Sequence, residues 1–243
     1  MKRLLPATIF TLLAFGFVRF ASAADADWID LSKDLSAFQE PTGEWFTAAT
    51  VQVSPDNDRR LTAEPGQGIL VNGKTGRTNN LITRQKWGDL EVHAEFLIPR
   101  HSNSGIKLHG VYEIQIYDSW QATKLTGADC GGIYPRGEMK PHYHHLDDGI
   151  APLVNACKKP GEWQTLDIWF RAPRVDKKGD KIANGQFEKV LLNGKLIHDH
   201  VELKHPTGNA WKDKEHATGP LLLQADHGPV AFRNVRARPL TSK

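Results

Sequence analysis

Cysteine is scarce in this chain, long apolar runs are confined to its start, and net charge is nearly absent. The 243 residues include two cysteines, Cys130 and Cys157. Their spacing does not match a zinc site, which argues against a metal-stapled domain. The 31 basic residues outnumber the 28 acidic ones by three. Lys2, Arg3 and Arg19 supply that excess, so the chain beyond them is neutral. A neutral domain has no electrostatic footprint for nucleic acid, which is excluded as a partner. Nucleophile elbow, P-loop, dinucleotide glycine fingerprint and cysteine-based catalytic signatures are also missing. So is any sustained 3.6-residue apolar period of helical length.

The apolar start reads as a secretory leader over residues 1–23. Lys2 and Arg3 precede a mostly apolar stretch from Leu4 to Phe20, and Ala21-Ser22-Ala23 offers small residues for cleavage. Pro6 and Arg19 interrupt the stretch, and a spanning helix needs roughly 20 apolar residues. The expected product is a secreted or periplasmic domain, residues 24–243, with no membrane span. That length fits a single unit. Export permits a disulfide, so Cys130 and Cys157 are expected to pair. The bond would close a loop of about 27 residues and contribute roughly 3.5 kcal/mol in the chain-entropy model.

What the chain does have is period-two alternation punctuated by turn residues. Leu90, Val92, Ala94, Phe96 and Ile98 alternate with mainly polar neighbours until Pro99 ends the run. Leu166, Ile168 and Phe170 repeat the pattern, and Asn193-Gly194 marks a hairpin after Val190 to Leu192. Further strands are expected over Leu221 to Leu223 and Val230 to Val235. Many short strands with turns between them predict an all-β sandwich or barrel. Gly127 to Lys159 and Pro206 to Thr218 read as long polar loops, which are often functional.

The segment from Asn103 to Asp118 is the most informative. Its even positions Ile106, Leu108, Tyr112, Ile114 and Ile116 form an apolar face. The odd positions Asn103, Lys107, His109, Glu113 and Gln115 share the other face. Amide, ammonium, imidazole and carboxylate on one surface suit sugar hydroxyls or a metal, although a plain solvated face would also alternate. Pro141-His-Tyr-His-His145, followed by Asp147-Asp148, offers metal ligands or general bases, or simply solvated side chains. His198-Asp-His200 reads as a surface strand. Gly228-Pro229 should turn the chain with Gln224, Asp226 and His227 at its rim. Arg233 and Asn234 either satisfy buried backbone or serve function. Among the tryptophans, most suit the core, and Trp120 beside Asp118 suits a ligand.

These motifs resemble the 3-keto-disaccharide hydrolase (3-keto-glucoside lyase/hydratase) family from about Trp28 to Leu240. The marks are Trp87-Gly-Asp-Leu-Glu-Val, Asn103-Ser-Gly-Ile, Tyr112-Glu-Ile-Gln-Ile-Tyr-Asp118, Gly132-Ile-Tyr134, Pro160-Gly-Glu-Trp-Gln164, Leu192-Asn-Gly194 and the stretch from Leu223-Gln to Phe232-Arg-Asn-Val235. Gln164 replaces an asparagine common in relatives. The resemblance implies a concanavalin A-like jelly-roll β-sandwich of two antiparallel sheets, acting on glycosides oxidised at C3. A C3 ketone acidifies the C2 proton, so a base can form an enolate that expels the C1 substituent. On this reading Glu113, His109 and His145 are the catalytic candidates, with Glu113 and His145 as alternative ligands for a divalent metal ion. Asn103, Lys107, Gln115, Trp120, Tyr134, Gln224 and His227 would bind substrate. A non-catalytic carbohydrate-binding module or a conventional glycosidase would suit the same fold. The latter needs two carboxylates flanking the bond, and alternation places only Glu113 on the polar face.

Overall fold

Alternation is realised as strands in a computed structural model, which describes residues 28–240. The expected leader, residues 1–23, lies outside them. The first strands are β1 (Ile29–Asp30), β2 (Phe46–Ser54), β3 (Asn57–Val71) and β4 (Leu81–Trp87). The middle of the chain gives β5 (Leu90–Leu97), β6 (Asn103–Leu108), β7 (Tyr112–Tyr117), β8 (Gly137–Glu138) and β9 (His144–His145). There follow β10 (Gln164–Arg171), β11 (Arg174–Val175), β12 (Lys181–Ala183) and β13 (Gly185–Leu192). The last are β14 (Lys195–Leu203), β15 (Gly219–Leu223) and β16 (Ala231–Pro239). Among the described residues no helix is long and apolar enough to cross a membrane.

Two antiparallel sheets form the jelly-roll sandwich. The larger runs β14-β13-β10-β5-β16-β3-β2, with β1 added at β16, and the smaller runs β4-β15-β6-β7. Val92, Phe96, Ile168 and Phe170 of the large sheet are fully buried, as are Ile106, Tyr112, Ile114 and Ile116 of the small one. They form one continuous core. Each such side chain contributes about 1.5–3 kcal/mol by leaving water. The opposite face of the small sheet is therefore free to carry polar groups.

Two hairpins show how local sequence sets register. Asn193 and Gly194 both take positive φ, 52° and 76°, and join β13 to β14 as the Asn-Gly pair predicts. His109 and Gly110 do the same between β6 and β7, with φ of 53° and 75°. Val111 N donates to Leu108 O across this turn at 3.1 Å. His109 is thus a turn residue and not the next position of a strand.

The segment between β7 and β10 holds only the small ribbon β8-β9. It folds back along β7, where Gln115 N donates to Gly132 O at 2.9 Å and Gly131 N to Gln115 O at 2.8 Å. His198 corrects the surface-strand expectation. It is 2% exposed, and its Nε2 lies 2.7 Å from Gly131 O, so it braces that segment from β14. Burial pushes its pKa down, which favours the neutral ring. Asp199 and His200 beside it are exposed and paired with each other at 2.6 Å. Arg233 and Asn234 both donate to the Glu95 carboxylate, at 2.7 and 3.0 Å, so they serve side chains of the large sheet and not buried backbone.

Candidate active site

The antiparallel register sets Lys107 of β6 directly opposite Glu113 of β7, and Asn103 opposite Tyr117. Opposed residues share a face, so these side chains emerge on the side of the small sheet away from the core. Here Asn103, Lys107 and Glu113 floor a cleft of about 550 Å³ whose walls include Asn80, Tyr134, Tyr143, Gln224, Asp226 and His227. Six of the residues expected from sequence therefore meet in one cleft: Asn103, Lys107, Glu113, Tyr134, Gln224 and His227.

Glu113 is 2% exposed, and its Oε2 lies 3.0 Å from Lys107 Nζ. Burial raises its pKa, and the Lys107 ammonium opposes that rise without cancelling it. The result is a carboxylate more basic than an exposed one and held in place. Gly105, diagonal to it on β6, makes the room. A Cβ at position 105 would sit 2.3 Å from Glu113 Oε1 and 3.0 Å from its Cγ and Cδ. The Asn103-Ser-Gly-Ile motif thus has a steric reason for its glycine. Gly105→Ala is expected to lower kcat by about 10- to 100-fold by turning the carboxylate aside. Because a flexible side chain can yield, thermal melting should stay close to wild type, and a large loss of melting temperature with normal kcat would refute this.

The far wall comes from the turn after β15. Gln224 N donates to Gly105 O at 2.9 Å, and Gln224 O accepts from Ser104 Oγ at 2.8 Å. Its side-chain Oε1 is buried without a hydrogen-bond partner. A buried unpaired acceptor costs about 1–3 kcal/mol, and Gln224 stands in the cleft wall, so a small rotation of its side chain would let a ligand donor such as a hydroxyl satisfy it. Asp226 and His227 follow, with Oδ1 and Nδ1 2.7 Å apart. The Asp226 hydrogen bond pushes the His227 pKa up; burial and Arg77 oppose this, while the charges of Asp226 and Glu113 reinforce it. Burial would raise the Asp226 pKa, but the His227 hydrogen bond and charge hold it low. With Nδ1–H donating to Asp226, Nε2 is the nitrogen left for a ligand.

On the third side, Tyr134 N donates to Glu113 O at 3.1 Å, tying the loop to the floor. The Tyr134 hydroxyl is 3.4 Å from that of Tyr143 and 3.1 Å from His145 Nε2. Burial pushes the Tyr134 phenol pKa up, so it stays a neutral hydrogen-bonding group.

Other expected residues lie elsewhere. The left-handed turn takes His109 off the polar face. Its ring packs edge-on against Phe170 at 5.0 Å, with Nε2 3.1 Å from Gly88 O, so it does not reach the cleft. Gln115 shares the face but is 2% exposed, and its Oε1 accepts from Ile116 N at 3.2 Å. His145 is exposed and reaches the cleft only through Tyr134. Trp120 stands at a second cleft, beside Tyr117 and Asp118. Cys130 and Cys157 are free thiols in contact, not a disulfide. The hydrogen bond between them raises the pKa of Cys130 and lowers that of Cys157.

The proposed metal pair fails a test of its donors. Glu113 Oε2 is held by an ammonium, His145 Nε2 by a phenol, and no group of three His, Cys, Asp or Glu side chains among the described residues could hold an ion. The residues present do not fit a metal at this cleft.

Comparison with known proteins agrees with this architecture. A protein from Parabacteroides distasonis, described as a candidate glycosyl hydrolase, is 27% identical over 88% of this chain and 84% of its own, with a TM-score of 0.65. A second protein of that description from the same organism is 17% identical over 88% and 95%, with a TM-score of 0.55, and shows the shared fold. No functionally curated protein matches the sequence. The sequence model of the 3-keto-alpha-glucoside-1,2-lyase-like domain matches residues 27–238, nearly the whole described chain. The chain therefore belongs to the family of 3-keto-alpha-glucoside-1,2-lyase-like domains.

Proposed function

We propose that this domain cleaves the glycosidic bond of sugars oxidised at C3, and that it does so in this cleft after export from the cytoplasm. The observation that carries the reading is the buried Glu113 carboxylate beside Lys107 in the floor of a sugar-sized polar cleft. Glu113 takes the C2 proton, and Lys107 faces the negative charge that develops on the C3 oxygen. The C2–H electron pair becomes the C1=C2 bond, and the C1–O pair leaves with the departing oxygen. The His227 imidazolium, paired with Asp226, supplies the proton for that oxygen. Water adding across C1=C2 completes a net hydrolysis. The Gln224 and Asn103 amides and the tyrosine hydroxyls hold ring hydroxyls.

A base of raised pKa and an acid of raised pKa predict a bell-shaped profile of kcat/KM against pH. Its acidic limb should lie above that of an ordinary glutamate. Its alkaline limb should lie above that of an ordinary histidine, because Asp226 keeps His227 protonated to higher pH. Asp226→Asn should move the alkaline limb to lower pH, and the acidic limb by a smaller step in the same direction, because the Asp226 charge raises both groups.

The deciding assay incubates the mature domain with a 3-keto disaccharide and with its unoxidised parent, and follows released sugar. Release from the keto form alone is expected. Equal release from both would favour conventional glycoside hydrolysis, and binding without release would favour a carbohydrate-binding module.

A further inference from the structure

We propose that the hollow between Gln39–Glu40 and Thr78–Asn80 is the subsite for the leaving group, and that this group is itself a sugar ring. This rests on the cleavage reading above and extends it. The hollow encloses about 450 Å³, within the roughly 300–1,000 Å³ of ligand pockets. It borders the cleft directly, since Asn80 and Asp226 line both. Strand register gives the span. Leu223 of β15 pairs with Leu81 of β4 on one side and with Ile106 of β6 on the other. One residue further along, Gln224 stands between Asn80 and Gly105, and the Glu113 carboxylate lies against Gly105. Two strand spacings of about 4.8 Å put Asn80 about 10 Å from Gly105. A keto ring seated over Glu113 and Gln224 thus ends at the shared residues, and the next ring begins in the hollow. The chemistry points the same way. His227 protonates the departing oxygen, and its partner Asp226 is one of the two shared residues.

The hollow suits a polyol better than an aromatic or alkyl group. Six of its eight lining residues carry amide, hydroxyl or carboxylate groups, and none of the eight is aromatic. Hydrogen bonds fix its walls to one another. Asn79 Nδ2 donates to Pro41 O at 3.1 Å, Glu44 N to Thr78 Oγ1 at 2.7 Å, and Trp45 Nε1 to Asn79 O at 2.8 Å. Gln39 Nε2 donates to Thr83 O at 2.9 Å, and Glu40 Oε2 accepts from Thr42 N at 3.1 Å, which leaves Oε1 of each to accept from hydroxyls. Asn80 uses Oδ1 on Ala225 N, which leaves its Nδ2 to donate. Walls set in advance bind a ring without the cost of ordering a loop.

The test compares kcat/KM for 3-ketomaltose, whose leaving group is glucose, with that for methyl 3-keto-α-glucoside, whose leaving group is methanol. Gln39→Ala/Glu40→Ala removes two exposed side chains that lie outside the cleft holding the base and the acid. In this double variant the ratio of the two should fall about tenfold, as for one or two lost hydrogen bonds, with the methyl glycoside cleaved at the wild-type rate. An unchanged ratio, whether or not both rates fall, overturns the subsite. If the double variant does not fold, the ratio is read in Glu40→Ala, which keeps the Gln39–Thr83 bond. A fall of about threefold there upholds the subsite, and no fall overturns it. A wild-type domain that cleaves neither keto compound overturns the cleavage reading instead. The subsite is then read from maltose binding by calorimetry. Binding weakened in the variant upholds it, whereas equal binding, or none by wild type, overturns it.

Discussion

Glu113→Gln is expected to lower kcat/KM on a 3-keto disaccharide by about a thousandfold, within the range that a positioned general base supplies. The substitution changes almost nothing except the proton-accepting capacity. Glutamine has the same shape, fits the room left by Gly105, and can still accept a hydrogen bond from Lys107 through Oε1. Stability should also survive. The folded-state pKa of Glu113 is raised, so its ionisation detracts from stability as pH climbs through the interval between the unfolded and folded values. At neutral pH an amide avoids that burden, while the Lys107 ammonium, itself partly exposed, loses its counter-charge. The two changes oppose one another. A folded, substrate-binding, inert variant is thus the expected result. Rates within a few-fold of wild type in Glu113→Gln would remove Glu113 as the base.

How much of this was legible beforehand can be judged residue by residue. The apolar positions from Ile106 to Ile116 are all buried, because strand alternation is a rigid geometric consequence of the pleat. Lys107, Glu113 and Asn103 reached the cleft for the same reason. His109 failed because alternation was carried one position too far. His109-Gly110 is a two-residue turn in the left-handed region, and a chain that leaves the pleat there loses the odd–even rule. Gly110 was visible in the sequence, but a histidine accepting φ of 53° before it was not. His198 was missed for a related reason. It sits where β13 and β14 shift register near Val190 and Leu191, so its polar neighbours did not report its own side.

Asn80 and Tyr143 were not legible at all. Asn80 precedes β4, and Tyr143 lies between the paired residues of β8 and β9. Neither position carries a periodic signal, and only the path of the chain between elements brings them to the cleft. Tyr143 leaves one trace after the fact. A Cβ on Gly137 would come within 2.5 Å of its hydroxyl, so Gly137 is the neighbour that lets this ring approach. The histidine-rich run around it was conspicuous in sequence, yet its histidines stay near the surface and the tyrosine between them lines the cleft.

Asn72→Ala should be strongly destabilising although Asn72 touches no substrate, and it should cost activity too. Asn72 is fully buried at the end of β3. Its Nδ2 donates to Gly228 O at 2.8 Å and Ala225 O at 3.2 Å, and its Oδ1 accepts from Val230 N at 2.9 Å. One amide thus satisfies three backbone groups of the 225–230 turn, and that turn carries Asp226 and His227. Alanine would leave those groups unpaired at a buried position, at about 1–3 kcal/mol for each that finds no other partner. Ala225 O keeps a second donor, Thr78 N at 3.0 Å, so the full sum is not expected. A loss of about 3–4 kcal/mol is the expected result, lowering the urea midpoint without changing the m-value. The released turn should also misplace the Asp226–His227 pair, so kcat should fall in the fraction that remains folded. Destabilisation below about 1 kcal/mol would mean that water takes over the amide's three bonds. In that case the turn is positioned by its other anchors, of which Asn80 Oδ1 accepting from Ala225 N at 2.8 Å is the nearest to the cleft.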